Sequence, residues 1–162
     1  TTSKTVAGYS GELSAYARFV GLTAEYTNNT EDGFNDVTGI FNLRIFGNTV
    51  QGSHITLHYG LRTRNASDKS YRLNQQFGAA TLQLYLMKYF GIQGNYRKYL
   101  PYTEDHFGDT ESNEINAGAF IEFGALRLFG DWYQEKQKSK LNTVESNFDR
   151  TGTKIGIKFY FE

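Results

Sequence analysis

The sequence predicts an all-β protein, an eight-stranded antiparallel up-and-down barrel, and three observations predict it. Apolar and polar residues alternate with the two-residue period of a strand over much of the chain. Twelve Tyr and 13 Phe accompany a single Pro, a balance that favours strands over helices. Short turns alternate with longer polar loops, so successive strands are expected to run antiparallel and to pair with their sequence neighbours.

Length and charge narrow the class of protein further. A chain of 162 residues fits one domain over 1–162, with a polar lead at 1–11. Lys plus Arg equals Asp plus Glu at 17 each, so no basic surface for nucleic acid is expected. The absence of Cys excludes disulfides and thiolate chemistry. No apolar run approaches the roughly 18 residues of a membrane-spanning helix, but strands of a membrane barrel are only half apolar.

Each of the first four predicted strands has one apolar face. In chain order these faces consist of Val20, Leu22, Ala24 and Tyr26; Val37, Phe41, Leu43 and Ile45; Ile55, Leu57, Tyr59 and Leu61; and Ala80, Leu82, Leu84 and Leu86. The first strand is taken as 13–26, which places Arg18 on its apolar face. Turn-forming residues predict a tight turn at Gly47-Asn48-Thr49 and long loops at 27–36 and 63–72.

The last four predicted strands follow the same pattern. Their apolar faces consist of Ile92, Tyr96, Leu100 and Tyr102; Ile115, Ala117, Ala119, Ile121 and Phe123; Leu126, Leu128 and Trp132; and Ile155, Ile157, Phe159 and Phe161. Gly124-Ala125 predicts the tightest turn, and polar runs predict long loops at 103–113 and 136–150. Lys98 falls on the apolar face of the fifth strand, close to Gly94.

The alternation alone is compatible with a soluble ligand-binding barrel and with a barrel in lipid. The second face mixes Gly, Asn, Thr and Gln with single charges, which suits a narrow, packed lumen. The apolar face is nearly free of charge, as expected where an exposed Lys or Arg at mid-membrane costs about 2–4 kcal/mol. The apolar face is therefore predicted to contact lipid. Arg18 is expected to snorkel, and Lys98 to turn inward at a bulge or to meet a subunit or a lipid headgroup.

The final strand carries a spaced motif, Lys154, Gly156, Phe159 and Phe161. It resembles the C-terminal insertion signal of bacterial outer-membrane β-barrels. In length and expected strand number the chain resembles the small eight-stranded outer-membrane proteins, the group that includes the transmembrane domain of outer-membrane protein A. The resemblance implies a transmembrane barrel of the bacterial outer membrane, with short periplasmic turns and longer external loops.

The predicted lumen collects charged residues into a network. The tight turn after the sixth strand places Glu122 directly opposite Arg127, so an ion pair is expected between them. The full predicted network consists of Arg44, Arg62, Arg97, Glu122, Arg127, Asp131, Lys154 and Lys158. It is interpreted as a static plug, with a gate or ion path as the alternative.

No metal site, cofactor or catalytic group is predicted. His54 and His58 share the inner face but lie about 13 Å apart on a strand, too far for joint chelation. The acidic segment 104–111 has enough carboxylates for a divalent cation, but such loops are usually only solvated. No Ser-His-acid arrangement is visible at the rim, so no enzyme activity is expected.

The predicted function is that of a non-enzymatic integral outer-membrane protein with a plugged polar lumen. It would contribute to envelope structure or bind a partner through the loops 27–36, 63–72, 103–113 and 136–150. The alternative is a homo-oligomeric barrel that holds membrane lipid on the strip around Gly94 and Lys98. A narrow channel and a lipid-modifying enzyme are less favoured alternatives.

Overall fold

The computed structural model of the protein is a single antiparallel sheet of nine strands in sequence order. It describes residues 8–29, 33–47, 51–66, 72–104, 108–141 and 144–159. The strands are β1 (Gly8–Ala17), β2 (Val20–Asn29), β3 (Phe34–Phe46), β4 (His54–Ala66), β5 (Arg72–Met87), β6 (Phe90–Glu104), β7 (Gly108–Phe123), β8 (Leu126–Leu141) and β9 (Val144–Phe159). The predicted all-β, antiparallel up-and-down class is confirmed. Over the described ranges, no helix is long and apolar enough to cross a membrane.

The sheet is curled into a half-barrel with a concave and a convex face. Arg97 on β6 reaches Glu25 on β2 across the concave side, with Nη2 and Oε1 3.1 Å apart. These strands are four apart in the sheet, a separation of about 19 Å along a flat sheet at the usual strand spacing. Lys158 on β9 likewise reaches Glu12 on β1 at 3.1 Å. Curvature therefore brings distant strands together over one face.

The prediction of eight strands is wrong because the predicted first strand, 13–26, is two strands. They are joined by a turn at Arg18 and Phe19, where Arg18 adopts a φ of 58°. No Gly, Asn or Pro marks this turn, and its signal in the sequence is a change of phase, since the apolar positions shift from Leu13, Ala15 and Ala17 to Val20, Leu22 and Ala24. Arg18 is therefore a turn residue and not part of an apolar strand face. The predicted polar lead 1–11 also overlaps β1, which begins at Gly8.

The four predicted long loops are mostly strand. The described strands leave only 30–33, 67–71, 105–107 and 142–143 as connections where loops were predicted at 27–36, 63–72, 103–113 and 136–150. These strand ends are mostly polar on both faces, with isolated apolar residues such as Phe34 and Phe148, so their sequence lacks the alternation that marks a half-buried strand. We call this end of the sheet the loop end. The opposite end, with connections 18–19, 47–53, 88–89 and 124–125, is the turn end. Of the predicted turn at 47–49, only Gly47 lies within the described residues. Phe161 lies outside them.

Burial is inverted relative to an ordinary folded domain. Within the described residues only four large apolar side chains are buried, namely Ile40, Phe77, Tyr99 and Phe120, against fifteen buried polar or charged side chains. The large apolar side chains are instead exposed, most of them on the convex face. The interior is polar and the exterior is apolar.

Aromatic rings on the concave face lie over glycines on the adjacent strand. A Cβ added to any of these glycines would collide with the ring of its direct register partner. The five pairs are Tyr16 with Gly21, Phe77 with Gly60, Phe120 with Gly91, Phe129 with Gly156 and Tyr133 with Gly152. The glycines thus make room for the rings, and four of these rings, those of Tyr16, Phe77, Phe120 and Tyr133, lie under a cationic side chain.

Candidate functional site

The charged side chains of the concave face form separate clusters, and the first lies at the turn end. Arg127 Nη2 is 2.6 Å from Glu122 Oε2, and its Nε donates to the same oxygen at 2.7 Å. Glu122 and Arg127 are register partners beside the two-residue turn between β7 and β8. The predicted ion pair between them is confirmed.

Neutral groups complete the hydrogen bonding of this cluster. Arg127 Nη1 donates to Gln83 Oε1 at 2.6 Å, and Nη2 donates to the Tyr85 hydroxyl at 3.0 Å. Tyr85 in turn donates to Glu122 Oε1 at 2.8 Å. The guanidinium lies 4.0 Å from the centre of the Phe120 ring. Every nitrogen of the buried cation therefore has a partner, which is the condition for a buried ion pair to be tolerated.

The second cluster lies nearer the middle of the sheet and is neutral. His58 hydrogen-bonds to Asn42 Oδ1 at 2.6 Å and to Thr81 Oγ1 at 2.7 Å. Asn42 donates to Thr23 Oγ1 at 2.7 Å, and His54 contacts the Thr56 hydroxyl at 3.0 Å. Both histidines are therefore held by amide and hydroxyl groups.

The third cluster lies toward the loop end and pairs arginines with carboxylates and rings. Arg97 binds Glu25 and lies over Phe77, 4.3 Å from the ring centre. Arg64 donates twice to Asp36, at 2.8 Å to each carboxylate oxygen. Arg62 makes a weaker contact with Asp36, since its Nη1 lies 4.0 Å from Oδ2. Its Nη2 donates to Gln75 Oε1 at 2.5 Å, and its guanidinium lies 3.8 Å from the Tyr99 ring centre.

The remaining residues of the predicted network are less closely coupled. Asp131 accepts hydrogen bonds from Gln93 at 2.8 and 2.9 Å. Lys154 is its register partner, but the amine lies 3.7 Å from Glu114 instead. Arg44 lies over the Tyr16 ring and donates to the Arg18 carbonyl at 3.2 Å. Lys158 contacts Glu12, with both side chains partly exposed.

The structure places the other predicted site residues on separate surfaces. Lys98 is exposed on the convex face between Gly78 and Asn113, and Gly94 lies between Leu82 and Ala117. Within the predicted insertion motif, Phe159 is exposed on the convex face, while Gly156 lies under Phe129 on the concave face. Phe161 lies outside the described residues. The oligomer, lipid and insertion roles of these residues stay predictions.

Sequence reasoning missed the rings that support the arginines. The sequence analysis assigns no role to Phe77, Tyr99 and Phe120, whereas each of these rings lies under a guanidinium group, within 4.3 Å of the ring centre. The signal available in the sequence is the repeated occurrence of an aromatic residue on the polar face of a strand. A cation over a ring face gains electrostatic stabilisation that grows when water is excluded.

Comparison with protein families, with characterised proteins and with solved structures finds no match to this chain.

Proposed function

We propose that this protein is a non-enzymatic integral protein of the bacterial outer membrane, with its convex face in lipid and its concave face filled by the polar network. The observation that carries the proposal is the inverted burial. A water-soluble monomer rarely exposes a large contiguous apolar surface. Here apolar side chains cover the convex face of adjacent strands while charged groups are buried opposite them.

The boundary of the apolar surface nearest the loop end runs obliquely across β7, β8 and β9. On β7 the last apolar convex residue before the loop end is Ile115, and its partner on β8 is the polar Gln134. On β8 the last such residue is Trp132, whose partner on β9 is Thr153, and β9 becomes apolar only at Ile155. From β7 to β8 and from β8 to β9 the boundary thus moves two residues toward the turn end. A flat membrane that cuts a sheet of tilted, staggered strands produces such an oblique boundary.

The height of the apolar surface also fits a bilayer. On β7 the convex residues from Ile115 to Phe123 are all apolar. Nine residues extend about 30 Å along a strand, which is about 23 Å in height at a tilt of about 40°. The apolar band of outer-membrane barrels is about 25 Å tall. Lys98 lies near the loop-end limit of this surface beside Asn113, where its amine can reach water.

A bilayer also requires that no sheet edge remain uncovered in the hydrocarbon region. In the described part of the sheet, β1 and β9 are the edges, and both run from the loop end to the turn end. Their Cα atoms lie more than 8 Å apart, but Lys158 and Glu12 already bridge the gap. A strand running in the opposite direction would pair antiparallel with both edges. The proposal therefore requires that this gap be closed in the membrane.

A second role, binding of an external partner, is favoured by the hairpin of β8 and β9. Beyond the apolar surface this hairpin continues for eight register pairs, from Gln134 and Thr151 to Leu141 and Val144. That length corresponds to about 27 Å. The convex side carries Lys136, Lys138 and Lys140 opposite Asp149, Asn147 and Glu145. We propose that this ordered polar extension is the part of the protein available to a partner outside the membrane.

The lipid contact can be tested with nitroxide labels, because the chain contains no Cys. Single cysteines introduced one at a time from 115 to 123 would be labelled and the protein reconstituted in vesicles. Labels at odd positions should be accessible to oxygen and protected from a water-soluble nickel complex. Labels at even positions, on the concave face, should show much lower oxygen accessibility.

The hairpin extension supplies the control for this experiment. Labels at 136 and 138, beyond the apolar surface, should be accessible to the nickel complex in the same vesicles. The proposed lipid contact would be refuted if labels at the odd positions of 115–123 were as accessible to the nickel complex as these control labels.

A further inference from the structure

The pairing of β5 with β6 stops before either strand ends. Within the described residues the last pair toward the loop end is Phe77 with Tyr99, although β5 extends to Arg72 and β6 to Glu104. Pro101 lies just beyond this pair, within a register shift between β6 and β7. Proline has no backbone N–H to donate to a ladder, and sheets accept it at edges and bulges. The wall of the half-barrel is therefore split between β5 and β6 at the loop end.

A cavity of about 440 Å³ occupies this split. Its lining includes Leu61, Leu100 and Pro101 as apolar groups, and Arg62 and Gln75 from the buried concave side. The cavity thus joins the edge of the apolar convex surface to a buried arginine. Such a combination of an apolar entrance and a buried cation suits an amphiphile with an anionic group.

Three buried polar atoms near the split have no hydrogen-bond partner among the described residues. They are Arg62 Nε, the Tyr99 hydroxyl and Ser112 Oγ. They belong to one neighbourhood, because the Arg62 guanidinium lies 3.8 Å from the Tyr99 ring centre and Tyr99 is the register partner of Ser112. All three can donate a hydrogen bond, and buried donors normally have an acceptor.

The charge of Arg62 is also weakly matched. Its nearest carboxylate, Asp36, lies at 4.0 Å and already accepts two hydrogen bonds from Arg64. The carboxylates of Glu25 and Glu114 contact Arg97 and Lys154. An incoming anion would supply the missing acceptors and an ionic partner at hydrogen-bonding distance from Arg62.

We propose that the split between β5 and β6 binds the phosphate group of a membrane lipid, with Arg62 as the principal ligand. Guanidinium groups match phosphate oxygens in charge and geometry, and hydroxyl donors add to the binding. Leu61, Leu100 and Pro101 would contact the glycerol and the first part of the acyl chains. The inference rests on the proposed membrane location, which places the cavity at the edge of the apolar surface.

Binding would be measured on the protein folded in mild detergent, by titration with dihexanoyl phosphatidic acid and detection by native mass spectrometry. Saturable binding of one lipid is expected. Arg62→Gln should weaken it about ten- to a hundredfold, since it removes a charged donor. Tyr99→Phe, which retains the ring, should weaken it about two- to tenfold. Arg44→Gln is the matched control, because this arginine also has unpartnered nitrogens but lies at the turn end, and affinity should not change.

Equal affinity of the Arg62→Gln variant and the parent would overturn the site. Inorganic phosphate that competes as strongly as the lipid would overturn the assignment to a lipid headgroup. The nitroxide pattern of 115–123, repeated in Arg62→Gln, separates this inference from the proposed function. If Arg62→Gln keeps the alternating oxygen accessibility and binds the lipid as tightly as the parent, the site alone is rejected. If the parent lacks the alternating oxygen accessibility but its lipid binding still depends on Arg62, the membrane location alone is rejected.

Discussion

Arg127 at the turn end and Arg62 at the loop end have similar surroundings but different hydrogen-bond partners. Both are concave, both are nearly fully buried, at 2% and 5% exposure, and both lie about 4 Å from an aromatic ring centre. Arg127 has a carboxylate, an amide and a phenol as partners. Among the described residues, Arg62 donates only to Gln75, and its Nε has no hydrogen-bond partner.

The register of the sheet explains this difference. Arg127 stands opposite Glu122, while Arg62 stands between Thr38 and Gln75, neither of which carries a charge. A buried arginine with a full set of partners stabilises the fold, whereas Arg62 lacks such a set and also lines the cavity at the split, where a ligand can reach it. The turn-end cluster is therefore interpreted as a structural plug and the loop-end arginine as a binding group.

The largest effect is expected on removal of the carboxylate from the turn-end cluster. Glu122→Leu leaves Arg127 as an uncompensated buried cation, and the free energy of unfolding should fall by about 3–5 kcal/mol. Urea unfolding of the protein in detergent micelles would measure the change. The double variant Glu122→Leu/Arg127→Met should recover most of this loss, because no isolated charge remains. A double variant no more stable than Glu122→Leu would contradict this explanation.

A smaller effect is expected for the contact that spans the concave face. Glu25→Gln removes the charge that faces Arg97, and the free energy of unfolding should fall by about 1–2 kcal/mol, since the Glu25 side chain keeps some exposure. Lys140→Gln is the matched control, because its contact with Glu145 is largely exposed and should contribute at most about 1 kcal/mol. The idea fails if both variants unfold at the same urea concentration.

The smallest effect on stability is expected at the loop end. Arg62→Gln should change the free energy of unfolding by less than about 1 kcal/mol without lipid, because no carboxylate in the described part of the chain is hydrogen-bonded to the guanidinium. Arg127→Gln, measured beside it, should destabilise the protein several-fold more, since it leaves Glu122 buried and unpaired. Equal destabilisation by the two substitutions would remove the distinction between plug and binding group.

The sequence was sufficient for features that depend on local register. A two-residue turn fixes which residues face each other, so Glu122 and Arg127 could be paired from their positions alone. The contact of Arg97 with Glu25 could not, because it depends on how strongly the sheet curls. The cluster of Arg62, Tyr99 and Gln75 requires both the curvature and the split at Pro101, and neither follows from alternation.

The predicted number of strands was wrong, also for a physical reason. Turns were inferred from Gly, Asn, Asp and Pro, but the turn at Arg18 and Phe19 contains none of these residues, and the backbone of Arg18 adopts the left-handed conformation. The predominantly polar strand ends were predicted to be loops because neither face has a regular series of apolar residues there. Where one face is apolar, as on β7 between Ile115 and Phe123, the predicted strand and faces agree with the structure.

The contrast between an apolar exterior and a polar interior is tested most directly by the fluorescence of Trp132, the single tryptophan of the chain. It lies on the convex face, 43% exposed, near the limit of the apolar surface. In vesicles of lipids brominated at defined acyl positions, strong quenching is expected, most of all by bromines near the headgroup. In the variant Trp132→Phe/Tyr133→Trp, which moves the indole to the concave face, quenching should be weak. Quenching of Trp132 no stronger than that of the concave indole would contradict the proposed contact of the convex face with lipid.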